Sequence, residues 1–290
     1  MDGIVILDKD SGVFSRTAGA RVAKMFGTKK FGHIGTLDPM ASGVLPIAIG
    51  NATKMIPFIE DICENKKEYL FGLKFGIDTD SLDITGNIKQ TNDIVPKDDD
   101  IIAACKKLEK STEQIPPLFS AIHINGQRAY ELARSGKDIE MKPRPIKIYE
   151  LEYTGKCREQ EYEFRVVCSR GTYVRSLVRD IAKQCGTIAT TTHIRRTHTN
   201  GFDIKNAVKL DFLENLVNNS KRIEEYLMQP DCALGDIPVI NLDDKDAELY
   251  KNGGFIKVAS KNGLYRVYSG KIFVGIGQME AGNLKPKRTI

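Results

Sequence analysis

The stretch at 29–54, KKFGHIGTLDPMASGVLPIAIGNATK, constrains this chain more than any other. Gly32, Gly35, Gly43 and Gly50 surround a single carboxylate, Asp38, and the stretch then becomes apolar. Glycine admits backbone geometries closed to other residues and lets a ligand come close to the chain. Pro39 biases Asp38 toward extended conformations, which puts Asp38 on a loop and not inside a helix. The segment GVLPIAIG reads as a short buried strand. A carboxylate on a glycine-rich loop beside a core strand is where a catalytic group can be held. Taken alone, an Asp-Pro pair is most often no more than a turn.

The rest of the chain offers enough apolar material to bury such a loop. Its 290 residues are 41% hydrophobic and 28% charged, which excludes global disorder and suggests one large domain or a large and a small one. The net charge of +5 permits an anionic partner without demonstrating one. MDGIVILDKDSG lacks the basic start and long apolar run of a signal peptide. No run approaches the roughly 20 apolar residues needed to span a bilayer, so a soluble, cytoplasmic protein without membrane association is expected. The six cysteines (63, 105, 157, 168, 185, 232) form no Cys-x-x-Cys pair and the four histidines no His-Glu-x-x-His, so no metal site is expected.

Along the chain, Gly3 to Leu7 predicts a strand. Ser15 predicts the N-cap of a helix running to about Phe26 and closed by Gly27. The segment 53–62 reads as helical. Tyr69, Phe71, Leu73 and Phe75 alternate with other residues, as in a half-buried strand. DTDSLDITG follows as an acidic loop, and Asp98 or Asp99 predicts the cap of a helix ending near Leu108. Between 113 and 147 the chain is basic and bracketed by prolines, with a short helix expected over 127–135. That composition suggests an insertion that contacts something. Two alternating strands, 148–153 and 161–168, precede an amphipathic helix over 172–185. Arg195 and Arg196 lie between His193 and His198. A helix is expected over 210–228 and a boundary over 229–235. Closely spaced strands and turns then predict a small β-barrel ending in a basic tail, 285–288.

At this point the residues carry a resemblance. GHIGTLDPMASGVLPIAIGNATK resembles the signature of bacterial tRNA pseudouridine synthases of the TruB family, which act on uridine 55 of the TΨC loop. GIVILDKDSG resembles the family's opening strand and lysine turn, and KKEYLFGLKFGIDTDSLDITG its second motif. IPPLFSAIHINGQRAYELARSG resembles its RNA-clasping insertion, CSRGTYVRSLVRDI its third motif, and HIRRTHTNGF its double-arginine segment. The segments follow the family order from about residue 3 to 202. Ile34, Asp10 and Phe14 depart from the family pattern without removing a group needed for chemistry.

The resemblance implies a mixed α/β (α+β) fold: a catalytic domain over 1–232 on a large, mainly antiparallel sheet with flanking helices, and a PUA-like barrel over 236–290. It implies an isomerase that breaks the N1–C1′ bond of uridine, turns the uracil and rejoins it through C5. That reaction has no redox change, so no cofactor is expected. Asp38 matches the catalytic aspartate; a carboxylate can attack covalently or stabilise positive charge at the sugar. Arg175 is implied as its ion-pair partner and Tyr69 as the residue that stacks on the target base. His33 is implied to fill the stack vacated by the flipped base. Tyr173, Lys54, Arg195 and Arg196 are implied as RNA contacts, and Asp83 as a holder of loop geometry. The expected partner is the tRNA TΨC stem-loop, with no obligate protein partner and a monomeric state. The competing readings are a related synthase acting on another RNA, and an RNA-binding or RNA-folding protein without catalysis. Guided relatives lack the 113–147 insertion, so its presence favours the stand-alone enzyme.

Overall fold

In a computed structural model, the structure describes residues 1–62, 66–120, 122–124, 126–134, 140–158 and 160–290. The chain is a mixed α/β protein built on a large mixed sheet with flanking helices and a C-terminal curled sheet. It divides into two compact units. One comprises residues 1–39, 43–65 and 200–290; the other comprises 40–42 and 66–199.

In the second unit four antiparallel strands lie in the spatial order Ile148–Arg158, Glu161–Ser169, Lys66–Phe75, Ala189–Thr199. Successive side chains of a strand face opposite ways. Tyr69, Phe71, Leu73 and Phe75 are therefore buried together, as the alternation predicts. Phe71 stacks on Phe164 of the neighbouring strand, with ring centroids 5.3 Å apart. Helices Asp98–Leu108 and Val174–Gln184 flank these strands. The first buries Ile101, Ala104, Cys105 and Leu108, the second Val174, Leu177, Val178 and Ile181. The expected aspartate cap at 98 or 99 is not made. Lys97 occupies the N-cap, and the three aspartates lie in the first turn, where carboxylates favour the positive end of the helix dipole.

The 113–147 insertion is closed at its base by a short antiparallel pair, Gln114 opposite Arg144. Beyond it come the pair His123–Ile124 with Gln127–Arg128 and the helix Ala129–Arg134. Residues 121, 125 and 135–139 of this insertion, and with them the predicted end of its helix at 135, lie outside the described residues; so does Cys63.

In the first unit, Gly3–Lys9 pairs antiparallel with Ser42–Ile49 and parallel with Val208–Lys209. Helix Ser15–Met25 buries Ala18, Val22 and Ala23. It ends at Gly27, whose φ of +69° is the left-handed turn that glycine adopts without strain. Ser15 is not its cap. Phe14 holds that position, and the Ser15 hydroxyl is used elsewhere. The helix predicted over 210–228 stops at Asn218. Asn219 ends it, Ser220 turns to φ +54°, and the Lys221 N–H closes back onto Leu216 O. Asn-Asn-Ser competes with the helical backbone for hydrogen bonds, and that terminated the pattern.

The C-terminal strands form a five-stranded curled sheet in the order Val239–Leu242, Gly263–Ser269, Ile272–Glu280, Asn283–Thr289, Ile256–Lys257. Two readings of this region are corrected. Asp244–Lys251 is a helix, its N-cap Asp243 accepting from the Asp246 N–H. The basic tail is a strand that buries Leu284, with Pro286 accommodated at a bulge opposite Gly277. Segment 229–235 is firmly held. Asp231, 1% exposed, accepts from Arg266 at 3.1 Å and from the Tyr268 hydroxyl at 2.5 Å. One apolar cluster joins Ile4, Ile6, Ile34 and Val44 to Leu234, Ile237, Phe273 and Ile276. No helix among the described residues is long and apolar enough to cross a membrane.

Candidate active site

Asp38 lies on the predicted loop and is partly exposed. Its neighbours are clamped from both sides. The Ser15 hydroxyl donates to Leu37 O at 2.8 Å and accepts the Leu37 N–H at 3.1 Å. On the other side, Pro39 O accepts from Lys9 Nζ at 3.2 Å and from the Gly12 N–H at 2.8 Å. Lys9 has no exposed surface; its ammonium also donates to Asp10 O and Val13 O. Four hydrogen bonds thus fix the peptides on either side of Asp38. Lys9 and Ser15 were legible only as a turn residue and a cap, because their partners lie 22 to 30 positions away. Gly35 and Gly43 adopt φ of +68° and +105°, which an L side chain would resist. His33 ends the short strand Phe31–His33, with its Nε2 3.1 Å from Thr36 Oγ1.

In the other unit, Tyr69 and Arg196 are opposite each other on adjacent strands. Arg196 is 0% exposed and its guanidinium is hydrogen-bonded to Tyr69. Burial pulls the guanidinium below its ordinary range, and the Tyr69 hydroxyl opposes that. Its placement contradicts a surface contact between Arg196 and a phosphate. The double-arginine segment is a strand, so its two arginines face opposite ways. Arg195 is the partly exposed one, and its Nη1 donates to Ser42 Oγ at 3.4 Å.

Arg175 is 3% exposed at the start of helix Val174–Gln184. Its guanidinium donates to Ser81 O at 2.8 Å and to Phe119 O at 2.9 Å, and faces Asp83 Oδ2 at 3.7 Å. Asp83 is 4% exposed. Its Oδ1 accepts from the Ser81 hydroxyl, the Thr85 N–H and the Thr85 hydroxyl. The acidic loop is a folded cradle for the Arg175 guanidinium. It includes Leu82 at φ +62°, an uncommon backbone for a branched side chain. Tyr173, the N-cap of the helix, is tied to the base of the insertion: its N–H donates to Gln114 Oε1 and its carbonyl accepts from Gln114 Nε2. Lys54 Nζ donates to Thr289 O at 3.0 Å. A cavity of about 450 Å³ is lined by Asp80, Leu82, Pro117, Arg179 and Lys183 among others. None of Asp38, Tyr69 or Arg175 lines it.

The chain matches known pseudouridine synthases along almost its whole length. The family described as TruB family pseudouridylate synthase (N terminal domain) matches residues 23–174, and Pseudouridine synthase II TruB, C-terminal, matches residues 238–290. A protein of Caulobacter vibrioides named tRNA pseudouridine synthase B is 37% identical, covering 99% of this chain and 96% of the relative. One of the same name from Clostridium kluyveri is 39% identical over 96% of this chain and 95% of the relative. Among solved structures, that of a Cbf5-Nop10-Gar1 complex matches with a TM-score of 0.69, 23% identity, and coverage of 99% of this chain and 84% of the other. At that identity the likeness is one of fold alone. On the sequence agreement along almost its whole length, the chain belongs to the TruB family of pseudouridine synthases.

Proposed function

We propose that this protein isomerises uridine to pseudouridine in tRNA, at uridine 55 of the TΨC stem-loop. The observation that carries the reading is the clamp on the Asp38 loop. Four hydrogen bonds hold Leu37 and Pro39 while the carboxylate between them is part-exposed. Holding a reacting group in place before substrate arrives is where much of an enzyme's rate advantage originates.

In this reading the target uridine is flipped out of its loop, His33 fills the vacated stack, and the uracil rests against Tyr69. Asp38 supplies the negative charge that cleavage of N1–C1′ requires. The freed uracil turns, C5 bonds to C1′, the C5 proton leaves and N1 gains one, so atoms and charge balance without a redox step. Arg196, behind Tyr69, fixes the phenol. Arg175, held by Asp83 and two carbonyls, supplies a fixed positive charge. Tyr173, Lys54 and Arg195 contact RNA; an ammonium has three donors, so the bond from Lys54 to Thr289 leaves capacity for a phosphate. Residues 1–232 form the catalytic domain, the 113–147 insertion clasps the RNA, and 236–290 hold the stem. The protein works in the cytoplasm as a monomer without an obligate partner.

The test is tritium release from a tRNA transcript labelled at uracil C5. Wild type should release one tritium per transcript, and a transcript with uridine 55 replaced should release none. Asp38→Asn should bind the same RNA and release none. Turnover by that variant would refute the role of Asp38, and binding without release by wild type would favour an RNA-binding protein.

A further inference from the structure

Phe14, 60% exposed, is the most exposed aromatic residue among those described. A single apolar side chain at the surface needs no explanation in itself. Its position does. The Ser15 hydroxyl is bonded to both backbone groups of Leu37. Pro39 O accepts from the Gly12 N–H and from Lys9 Nζ, which also holds Val13 O at 2.7 Å. Phe14 stands between Val13 and Ser15 as Asp38 stands between Leu37 and Pro39. It therefore occupies the position across the clamp from the carboxylate. Burial follows the same order: Ser15 and Leu37 are each 4% exposed, Asp38 is part-exposed and Phe14 is open.

The local chain has no use for a phenyl ring here. Phe14 is the N-cap of helix Ser15–Met25, with an extended backbone (φ −69°, ψ 137°) and no side-chain cap. Serine, threonine, aspartate and asparagine are preferred at that position, because each can accept one of the helix's unpaired N–H groups. Phenylalanine forgoes that bond and gains little burial in return. The backbone beneath the ring is nevertheless fixed. Phe14 O accepts the Ala18 N–H at 3.0 Å, and both neighbours are clamped. A flat apolar face on so rigid a support loses little freedom when a flat ligand settles on it.

We infer that Phe14 is a stacking platform for an unpaired base of the substrate RNA, that of the nucleotide next to the flipped uridine. The inference rests on the proposed uridine isomerisation at Asp38. Flipping one nucleotide breaks the stack of its neighbours, and splayed RNA bases are held by stacking on aromatic side chains. His33 fills the space the uridine leaves; Phe14 instead carries a neighbouring base. Stacking on the ring holds the substrate before and during reaction alike. Phe14 is thus a substrate-positioning residue, and it moves no proton.

Fluorescence-anisotropy binding of a TΨC stem-loop tests this, with the loop nucleotides on either side of uridine 55 made abasic one at a time. Phe14→Ala should weaken binding of the intact stem-loop about 5- to 150-fold, the range for losing one base–aromatic stack. In single-turnover tritium release the loss should fall on the half-saturating RNA concentration more than on the maximal rate. Removing the stacked base should weaken wild type by a similar factor and leave Phe14→Ala almost unchanged. Phe14→Tyr should bind as wild type does. Phe14→Ser supplies a capping hydroxyl, so it should keep or raise Tm while losing RNA affinity, which separates stacking from folding. Binding by Phe14→Ala or Phe14→Ser within about twofold of wild type overturns the inference, as do losses that simply multiply at both abasic positions. Either result beside normal wild-type tritium release leaves the proposed isomerisation standing. The expected binding pattern without any tritium release would instead sink the isomerisation and keep the platform.

Discussion

Asp83→Asn separates the charge of Asp83 from its shape. Oδ1 would keep its three donors from Ser81 and Thr85, so the loop retains its hydrogen bonds. What changes is the atom facing Arg175 Nη1 at 3.7 Å: a carboxylate oxygen becomes an amide, which in the loop-preserving orientation presents N–H to N–H. At an effective dielectric near 20, a unit pair at that distance is worth about 4–5 kcal/mol. Side chains only 4% and 6% exposed receive little solvent screening. Arg175 keeps the Ser81 and Phe119 carbonyls, which partly offset the loss. A destabilisation of about 2–4 kcal/mol is therefore expected, near the lower edge of values for breaking buried pairs. For a protein of this size that lowers Tm by about 3–7 °C. Circular dichroism melts at low and high salt should show the same drop, since screening reaches a buried pair poorly. Single-turnover tritium release should fall in parallel, because the guanidinium loses its fixed orientation. A Tm within about 2 °C of wild type with unchanged turnover would refute the cradle as the device that holds Arg175.

Ser15→Ala removes both bonds to Leu37, leaving buried backbone groups unmet at about 1–3 kcal/mol. Its kcat for tritium release should fall about tenfold or more with a smaller change in KM, because the variant loosens Asp38 and not the RNA surface. Burial alone would raise the Glu68 carboxyl, but hydrogen bonds from Thr197 and Arg165, with the charges of Arg165 and His198, hold it below its ordinary value. A depressed carboxyl contributes stability above its unfolded value and loses it as pH falls through the folded one. Glu68→Gln should therefore lower Tm at pH 7 and flatten the loss of stability below about pH 4.3; parallel wild-type and variant curves would contradict this. Asp231→Ala leaves Arg266 and Tyr268 without their shared carboxylate and should cost about 3–5 kcal/mol in thermal or denaturant unfolding.

Local pattern made much of this structure readable. The alternation of Tyr69, Phe71, Leu73 and Phe75 predicted their common buried face, and the Asp38–Pro39 pair predicted a loop. What stayed hidden depends on partners distant in sequence. Ser15 looks like a helix cap until Leu37 is beside it, and Arg196 looks like a phosphate ligand until its strand turns it under Tyr69. Likewise 285–288 reads as a tail until Pro286 is seen at a bulge opposite Gly277. The helix Asp244–Lys251 was detectable from Asp243 and Asp246 at capping distance, but the surrounding glycines drew the reading toward turns.

The division of the chain has a consequence during synthesis. Residues 66–199 hold nearly all of the second unit in one continuous run and can fold as soon as they emerge. The first unit cannot. Ile4, Ile6, Ile34 and Val44 are synthesised early, yet they are covered by Leu234, Ile237, Phe273 and Ile276. At about 5–20 residues per second the ribosome needs about 10–45 s to deliver that cover after residue 65. For that interval the amino-terminal strands remain an apolar surface without a lid, open to chaperones and to one another. A ribosome stalled near residue 235 should therefore display a folded middle and a protease-sensitive beginning.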